Sequence, residues 1–324
     1  MSIQYACGKV LNNENLIIIS KIHTPHQTLG LASAIPEAFI ERPSLHFLSP
    51  SWWIGDLIND VLKALNSAIT QMPLAQFVFL ANDEQEAYIL NKAGVDCIIG
   101  NSQIFINENT YKPIIATEKK YEALYNSIFS PFKNHQLCKN IQNLALIHQR
   151  YEANASDENR VRHLLPQAKI INEASDPISY IKLTVDEVCH AINQSYIGLS
   201  LSEVDGACNE TMEYLLCGTP VVSVRSKGGK DRFLTPDLVE FADPNPDSVM
   251  AAITKLRQKD IAKNDIREIV HSILLFERNN FLRNYNQHVA GFFGDLHTEM
   301  SIEKFIDCFE WKSHEEWLKK LECK

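Results

Sequence analysis

No two of the eight cysteines (Cys7, Cys97, Cys138, Cys189, Cys208, Cys217, Cys308 and Cys323) stand at C-x-x-C spacing. That scatter argues against a zinc cluster and against a disulfide framework, and predicts reduced thiols in a cytoplasmic protein. Glycine is sparse, 12 in 324 residues, and no G-x-G-x-x-G, G-x-x-x-x-G-K-[ST] or G-x-S-x-G occurs. The standard dinucleotide, P-loop and α/β-hydrolase readings therefore lose their strongest support. H-E-x-x-H, an EF-hand loop and an Asp-x-Asp pair are also missing, so neither a metal nor a cofactor is expected. No apolar run approaches the roughly 18 to 20 residues that span a bilayer, and Met1 to Leu11 lacks the basic and apolar parts of a signal peptide. Positive charge is in deficit, 31 Lys and Arg against 40 Asp and Glu for a net charge of -9. Nucleic acid is thereby disfavoured as a partner, because phosphate backbones require a basic surface.

What remains is ordinary globular material, 45% hydrophobic and 22% charged, long enough for two domains with real cores. Short β-branched runs alternate with helical spacings, the mark of parallel sheets covered by helices. Leu16 to Ser20 reads as a buried strand. Asp56 to Ile69 reads as a helix, because Leu57, Ile58, Val61, Leu62 and Leu65 recur at intervals of three and four. Gln76 to Leu80, a capped helix over Glu84 to Ala93 and a strand over Asp96 to Ile99 complete a first α/β series. The polar, turn-rich stretch 101–121 separates it from a second series. In that series strands are expected at Ala123 to Asn126, Leu144 to Ile147, Lys169 to Ile171, Ile197 to Leu201 and Pro220 to Val224. Helices are expected from about Asn134 and at Glu158 to Leu165, Val185 to Ile192, Cys208 to Leu216 and Asp247 to Arg257. Beyond Ala262 the chain reads helical to its end, with Ile302, Phe305, Ile306 and Phe309 on one face and Trp317, Leu318 and Leu321 on the next. His23 and His26 read as loop residues, and Trp52-Trp53 as core or helix-entry residues.

Chemistry concentrates between Tyr196 and Leu234. A strand, a loop, a helix from Cys208, a tight turn and a second strand follow one another, with Cys208, Met212, Leu215 and Leu216 forming the apolar stripe. Gly206 permits close approach to the backbone. The N–H groups of Ala207, Cys208 and Asn209, at the positive end of the helix dipole, suit a diphosphate. Asp205 and Glu213 lie about 12 Å apart along the helix axis, so one elongated ligand could reach both, with one carboxylate holding a ribose and the other a hexose.

Asp205, seven intervening residues, Glu213, then Cys217-Gly218-x-Pro220-Val221-Val222 and Gly228-Gly229 resemble the signature of GT-B glycosyltransferases of family 4. The resemblance spans Leu199 to Leu256 and extends back toward Tyr121. It implies an α/β architecture of GT-B type: a Rossmann-like, acceptor-side domain over 1–118, a nucleotide-sugar-binding Rossmann-like domain over 119–280, a donor cleft between them, and C-terminal helices over 281–324 packing back. It implies an enzyme that moves a sugar from a nucleoside diphosphate sugar to a glycan, lipid or protein acceptor, without a metal and with retention. Asp205 and Glu213 become the catalytic pair, Glu213 on the ribose and Asp205 on the transferred sugar. Gly206, Ala207, Cys208, Asn209, Gly228 and Gly229 become donor-binding residues. Lys133 matches the lysine that neutralises the donor diphosphate in this family, while Ile128 falls where the family carries an arginine and Asp205 where it carries a glutamate. Those two departures motivate an alternative expectation, a catalytically weak relative that binds a nucleotide sugar or a partner protein.

Overall fold

The computed structural model describes residues 7–12, 16–22, 29–34, 39–149, 155–173, 181–294, 299–307 and 312–313. They form two compact units. Unit 1 comprises Met1–Phe105, Asp205–Ala207 and Leu275–Lys324, and unit 2 comprises Ile106–Val204 and Cys208–Leu274. His23, His26, Phe309, Trp317, Leu318 and Leu321 lie outside the described residues.

Unit 1 is built on strands β1 (Cys7–Asn12), β2 (Ile17–Ile22), β3 (Ser44–Pro50), β4 (Ala75–Ala81), β5 (Cys97–Ile99) and β12 (Lys312–Ser313), in the order β12-β1-β2-β3-β4-β5. β2 to β5 run parallel, whereas β1 is antiparallel to β2 and β12 antiparallel to β1. Helices α1 (Leu31–Ala34), α2 (Ile58–Gln71) and α3 (Glu84–Lys92) belong to this unit. The apolar stripe of α2 delivers Val61, Leu65 and Ala68 to a core with Ile18, Leu48, Phe79 and Leu90, the burial that stabilises an amphipathic helix. Glu86, on α3, is buried and accepts hydrogen bonds from the Ile54 and Asn82 amides at 2.9 and 2.7 Å. Trp53 is a core residue.

Unit 2 carries β6 (Tyr121–Ser127), β7 (Leu144–His148), β8 (Lys169–Ile170), β9 (Ser195–Ser200), β10 (Val221–Val224) and β11 (Val239–Ala242) in one all-parallel sheet, order β11-β10-β9-β6-β7-β8. Helices α4 (Ala155–Leu164), α5 (Val185–Asn193), α6 (Asn209–Leu216) and α7 (Pro246–Gln258) join the strands. Counted within the unit this is strand order 3-2-1-4-5-6, the doubly wound arrangement, which forms because right-handed crossovers lay helices on both faces of a twisted parallel sheet. The strands are apolar on both faces for that reason. The core joins Tyr125, Leu144, Leu146, Ile197, Leu199 and Val222 to Val249, Ile253 and Leu256 of α7.

The 31-residue helix α8 (Lys263–Phe293) belongs to unit 2 up to Leu274 and to unit 1 from Leu275. Its inward-facing residues change partners accordingly. Arg267 donates to the carbonyls of Glu108, Tyr111 and Leu216 at 2.6 to 2.7 Å, and Lys263 reaches the Ile114 carbonyl at 3.2 Å. These bonds fasten 106–118, which the sequence grouped with the N-terminal domain, to unit 2. Further along, Phe281 and Tyr285 stack among Phe47, Phe105 and Phe305, the last supplied by α9 (Ile302–Asp307).

Three local expectations are corrected. The helix expected from Asn134 is two short 3-10 turns, Pro131–Lys133 and His135–Cys138, separated by Asn134 at φ 54°. Asparagine tolerates this left-handed conformation, and it stops propagation. β3 was missed because Ser44, His46 and Ser49 hide a strand that is buried throughout. The C-terminal region is not helical to its end, since Lys312 and Ser313 pair with β1.

Candidate active site

In a doubly wound sheet, ligands sit beyond the carboxyl ends of the strands where the order reverses. Here that point lies between β6 and β9, because β6 leads outward to β7 on one side and β9 to β10 on the other. The chain leaving β6 makes the two 3-10 turns, and the chain leaving β9 leads through the 201–208 loop into α6.

Glu213 is fixed at this point by its neighbours. Its Oε1 accepts from the Tyr111 hydroxyl at 3.0 Å and its Oε2 from the Asn126 side-chain amide at 3.3 Å. Asn126 is the penultimate residue of β6, and the 2.9 Å bond its Oδ1 accepts from Gln149 turns its N–H₂ toward Glu213. Burial, then the Glu213 charge, push the Tyr111 phenol above its usual range, so it remains a donor. The next residue, Tyr214, is fully buried, and its hydroxyl accepts from the Asn126 amide at 2.7 Å. α6 can lie this close to β9 because residue 198 is glycine. A Cβ there would meet the Tyr214 ring at 2.3 Å.

Lys133 closes the first 3-10 turn, is 6% exposed, and forms an ion pair with Glu210 of α6 at 3.1 Å. Nearby, His135 is buried against Tyr125 and Phe129 and reaches Ser127 through Nε2 at 3.1 Å. Burial, then the charges of Arg160, Lys133 and His148, lower its pKa to about 3, which keeps the ring neutral.

Asp205, Gly206 and Ala207 belong to unit 1, whereas Lys133, Cys208, Asn209, Glu213, Gly228 and Gly229 belong to unit 2. Asp205 is buried and accepts from the Gly206 amide at 3.0 Å. The sequence reserved the space over Gly206 for a ligand. In the structure a Cβ at Gly206 would meet the Ser51 carbonyl oxygen at 2.5 Å, so that space is taken by the chain's own backbone. Ala207 offers its carbonyl to Gln103. Cys208 is left-handed (φ 52°), no side chain caps α6, and the Thr211 amide in the first turn donates to the Cys208 carbonyl at 3.1 Å. Gly228 and Gly229, at φ 103° and 90°, make a turn that few other residues tolerate.

That turn returns Lys230 into the sheet. Lys230 is fully buried, and its Nζ donates to the Ser200 carbonyl, the Ser223 hydroxyl and the Val224 carbonyl at 3.0, 3.0 and 2.8 Å. It ties the carboxyl ends of β9 and β10 together. Lys230→Met would leave buried acceptors unsatisfied, and a loss of about 2 kcal/mol of stability is expected in urea unfolding; an unchanged midpoint would show the contacts to be dispensable.

Sequence reasoning did not find Tyr111, Asn126 or Glu210. Asn126 had a signal, a polar residue ending an apolar strand. Tyr111 had none, since it reaches Glu213 from a loop 102 residues away. Among the described residues no cluster of three or more His, Cys, Asp or Glu is arranged to hold a metal ion, and no helix is long and apolar enough to cross a membrane.

Neither a family model nor a curated protein matches the sequence. Solved structures do match. HepE from Anabaena in complex with UDP aligns with a TM-score of 0.57 and 14% identity, over 86% of this chain and 79% of its own. Sucrose-phosphate synthase from Thermosynechococcus elongatus aligns with a TM-score of 0.58 and 13% identity, over 81% of this chain and 77% of its own. AviGT4, a glycosyltransferase involved in avilamycin A biosynthesis, aligns with a TM-score of 0.52 and 12% identity over 81% and 79%. The fold is GT-B. Within that fold the unit 2 sheet, with its switch point between β6 and β9, is the Rossmann-like half toward the C-terminus, and Glu213 bonds Asn126 near the carboxyl end of β6.

Proposed function

We propose that this GT-B chain is a glycosyltransferase that takes a sugar from a nucleoside diphosphate sugar and passes it to a glycan, lipid or protein acceptor in the cytoplasm. The observation that carries the reading is Glu213, a carboxylate presented at the switch point by two neutral donors, Tyr111 and Asn126. A carboxylate so held accepts hydrogen bonds from the paired hydroxyls of a ribose. The seven-residue spacing back to Asp205 supports assigning Asp205 to the transferred sugar, as in family 4. Lys133, the amides of Ala207, Cys208 and Asn209, and the Gly228-Gly229 turn then serve the diphosphate. As the bond between sugar and phosphate breaks, negative charge gathers on the leaving diphosphate, and Lys133 with these amides would stabilise it without a metal. Transfer with retention follows from the family resemblance. HepE was solved with UDP and with UDP-glucose, which makes uridine donors the first to test.

Isothermal titration with UDP and GDP, paired with an assay for nucleoside diphosphate release from the corresponding sugars, tests the reading. Binding and release are expected for one base. Failure of every donor to bind at millimolar concentration would overturn it. A binding-only relative is favoured by two features, the pairing of Lys133 with Glu210 and Ile128 at the position of the family's arginine; it gives binding with no release across acceptors.

The Lys133–Glu210 pair makes a signed prediction. Glu210 competes with a diphosphate for the ammonium and sets a negative charge at the start of α6. Glu210→Gln removes that competition while preserving shape, and is expected to tighten nucleoside diphosphate binding by about three- to tenfold. Weaker binding by titration would mean that Glu210 positions Lys133 instead of opposing the ligand.

A further inference from the structure

Two cysteines with no part in the proposed transfer stand side by side in unit 2. Cys189, on α5, and Cys217, the residue that closes α6, have their sulfurs 3.6 Å apart. Both are free thiols. A disulfide needs about 2 Å, so the gap closes with a small side-chain movement. The Cys189 thiol donates to the Lys112 carbonyl at 3.5 Å. The Asn193 amide points at the Cys189 sulfur from 3.7 Å.

Access to the pair is one-sided. Cys189, itself only 4% exposed, lines an open groove of about 590 Å³ with Thr110, Lys112, Asp186, Glu187 and His190, while Cys217 is fully buried and does not line it. A small solute in the groove meets Cys189 first. The polarity of the pair agrees: the hydrogen bond from Cys217 holds the Cys189 thiol below its usual range, while the same bond and burial push Cys217 up. Lys119 and Lys263 add positive charge near Cys217. Cys97 and Cys138 are different. Burial raises both, Cys97 to about 11 with help from Asp96 and Glu86, which makes them poor nucleophiles.

We propose that Cys189 and Cys217 form a peroxide-reactive dithiol site, in which Cys189 is the attacked sulfur and Cys217 the resolving one. The Cys189 thiolate attacks one oxygen of a hydroperoxide, the O–O bond breaks, and the second oxygen leaves as hydroxide, or as alkoxide from an organic peroxide, and takes up a proton. Cys189 is then a sulfenic acid. The Cys217 sulfur attacks the Cys189 sulfur, the S–S bond forms as the S–O bond breaks, and the departing hydroxide takes the Cys217 proton to become water. The two sulfurs together lose two electrons and the peroxide gains two. A dithiol reductant reverses the change by thiol–disulfide exchange.

The test is a cysteine map of the whole chain. The reduced protein is treated with dilute hydrogen peroxide, its remaining thiols are blocked with N-ethylmaleimide, and peptides are identified by mass spectrometry with and without dithiothreitol. The expected result is a Cys189–Cys217 linked peptide that disappears on reduction, with Cys97 and Cys138 still alkylated. Cys189 advancing to sulfinic acid while Cys217 remains alkylatable, a bridge from Cys189 to any other cysteine, or earlier oxidation of Cys97 or Cys138 would each overturn the proposal. Cys217→Ser supplies a second readout: Cys189 should stop at a sulfenic acid captured by dimedone, and absence of the adduct in a folded variant counts against the assignment. None of these outcomes depends on nucleotide binding.

Discussion

Replacing Glu213 with alanine is expected to weaken binding of a nucleoside diphosphate by roughly 10- to 150-fold, the loss of about 1.5 to 3 kcal/mol when a charged group gives up its hydrogen bonds to a ligand. The carboxylate is oriented in advance by Tyr111 and Asn126, so little ordering cost offsets its contacts. Tyr111 and Asn126 are neutral, and the Glu213 side chain is only partly buried; a smaller change in melting temperature than in affinity is expected. Tyr111→Phe is the graded control. It frees one carboxylate oxygen without removing charge, and a loss well below that of Glu213→Ala is expected. Calorimetric titration reads both, and equal affinity in Glu213→Ala and wild type would remove this residue from the site.

Acid should destabilise the protein well before its carboxylates titrate. His46 is fully buried in unit 1, edge-on to Phe39 and stacked on Phe77, with Nε2 2.9 Å from the Ser44 hydroxyl. Burial lowers its pKa to about 3, and His135 in unit 2 is lowered to about 3 as well, by burial and then by the charges around it. The unfolded chain protonates these rings near pH 6.5 while the folded chain holds them neutral. A depressed folded pKa contributes stability that is present above 6.5 and is lost as pH falls from 6.5 toward 3. By about pH 5 each histidine should cost about 2 kcal/mol, a large share of the margin of an ordinary domain. His46→Phe keeps a flat ring between Phe39 and Phe77 and cannot titrate. Its loss of unfolding free energy between near-neutral pH and about pH 5 should be smaller than that of wild type by about 2 kcal/mol in urea titrations. Parallel losses in the two proteins would show that His46 carries a proton in the folded state.

Much of the α/β pattern could be read along the chain because it rests on local spacing. The stripe Val61, Leu65 and Ala68, the run Leu144 to Ile147 and the Asp83 cap of α3 each bury or bond what their spacing offers. Elements escaped where local chemistry contradicted the environment. β3 carries serine and histidine into a buried sheet, and β12 depends on a partner about 300 residues earlier in the chain. Lys230 is a sharper case. By residue type it belongs on the surface, and only the carbonyls gathered at the ends of β9 and β10 make its burial tolerable.

By itself the sequence determined the alternation of strands and helices, the apolar stripe of Met212, Leu215 and Leu216 in α6 and the spacing of Asp205 and Glu213, because periodicity, turn residues and intervals are properties of neighbours along the chain. Only the tertiary structure decided the strand order that puts β6 beside β9, the donors that aim Glu213, the pairing of Lys133 with Glu210, and the meeting of Cys189 with Cys217. Each of these joins residues far apart in the chain, and their meeting depends on how the whole sheet buries its two faces.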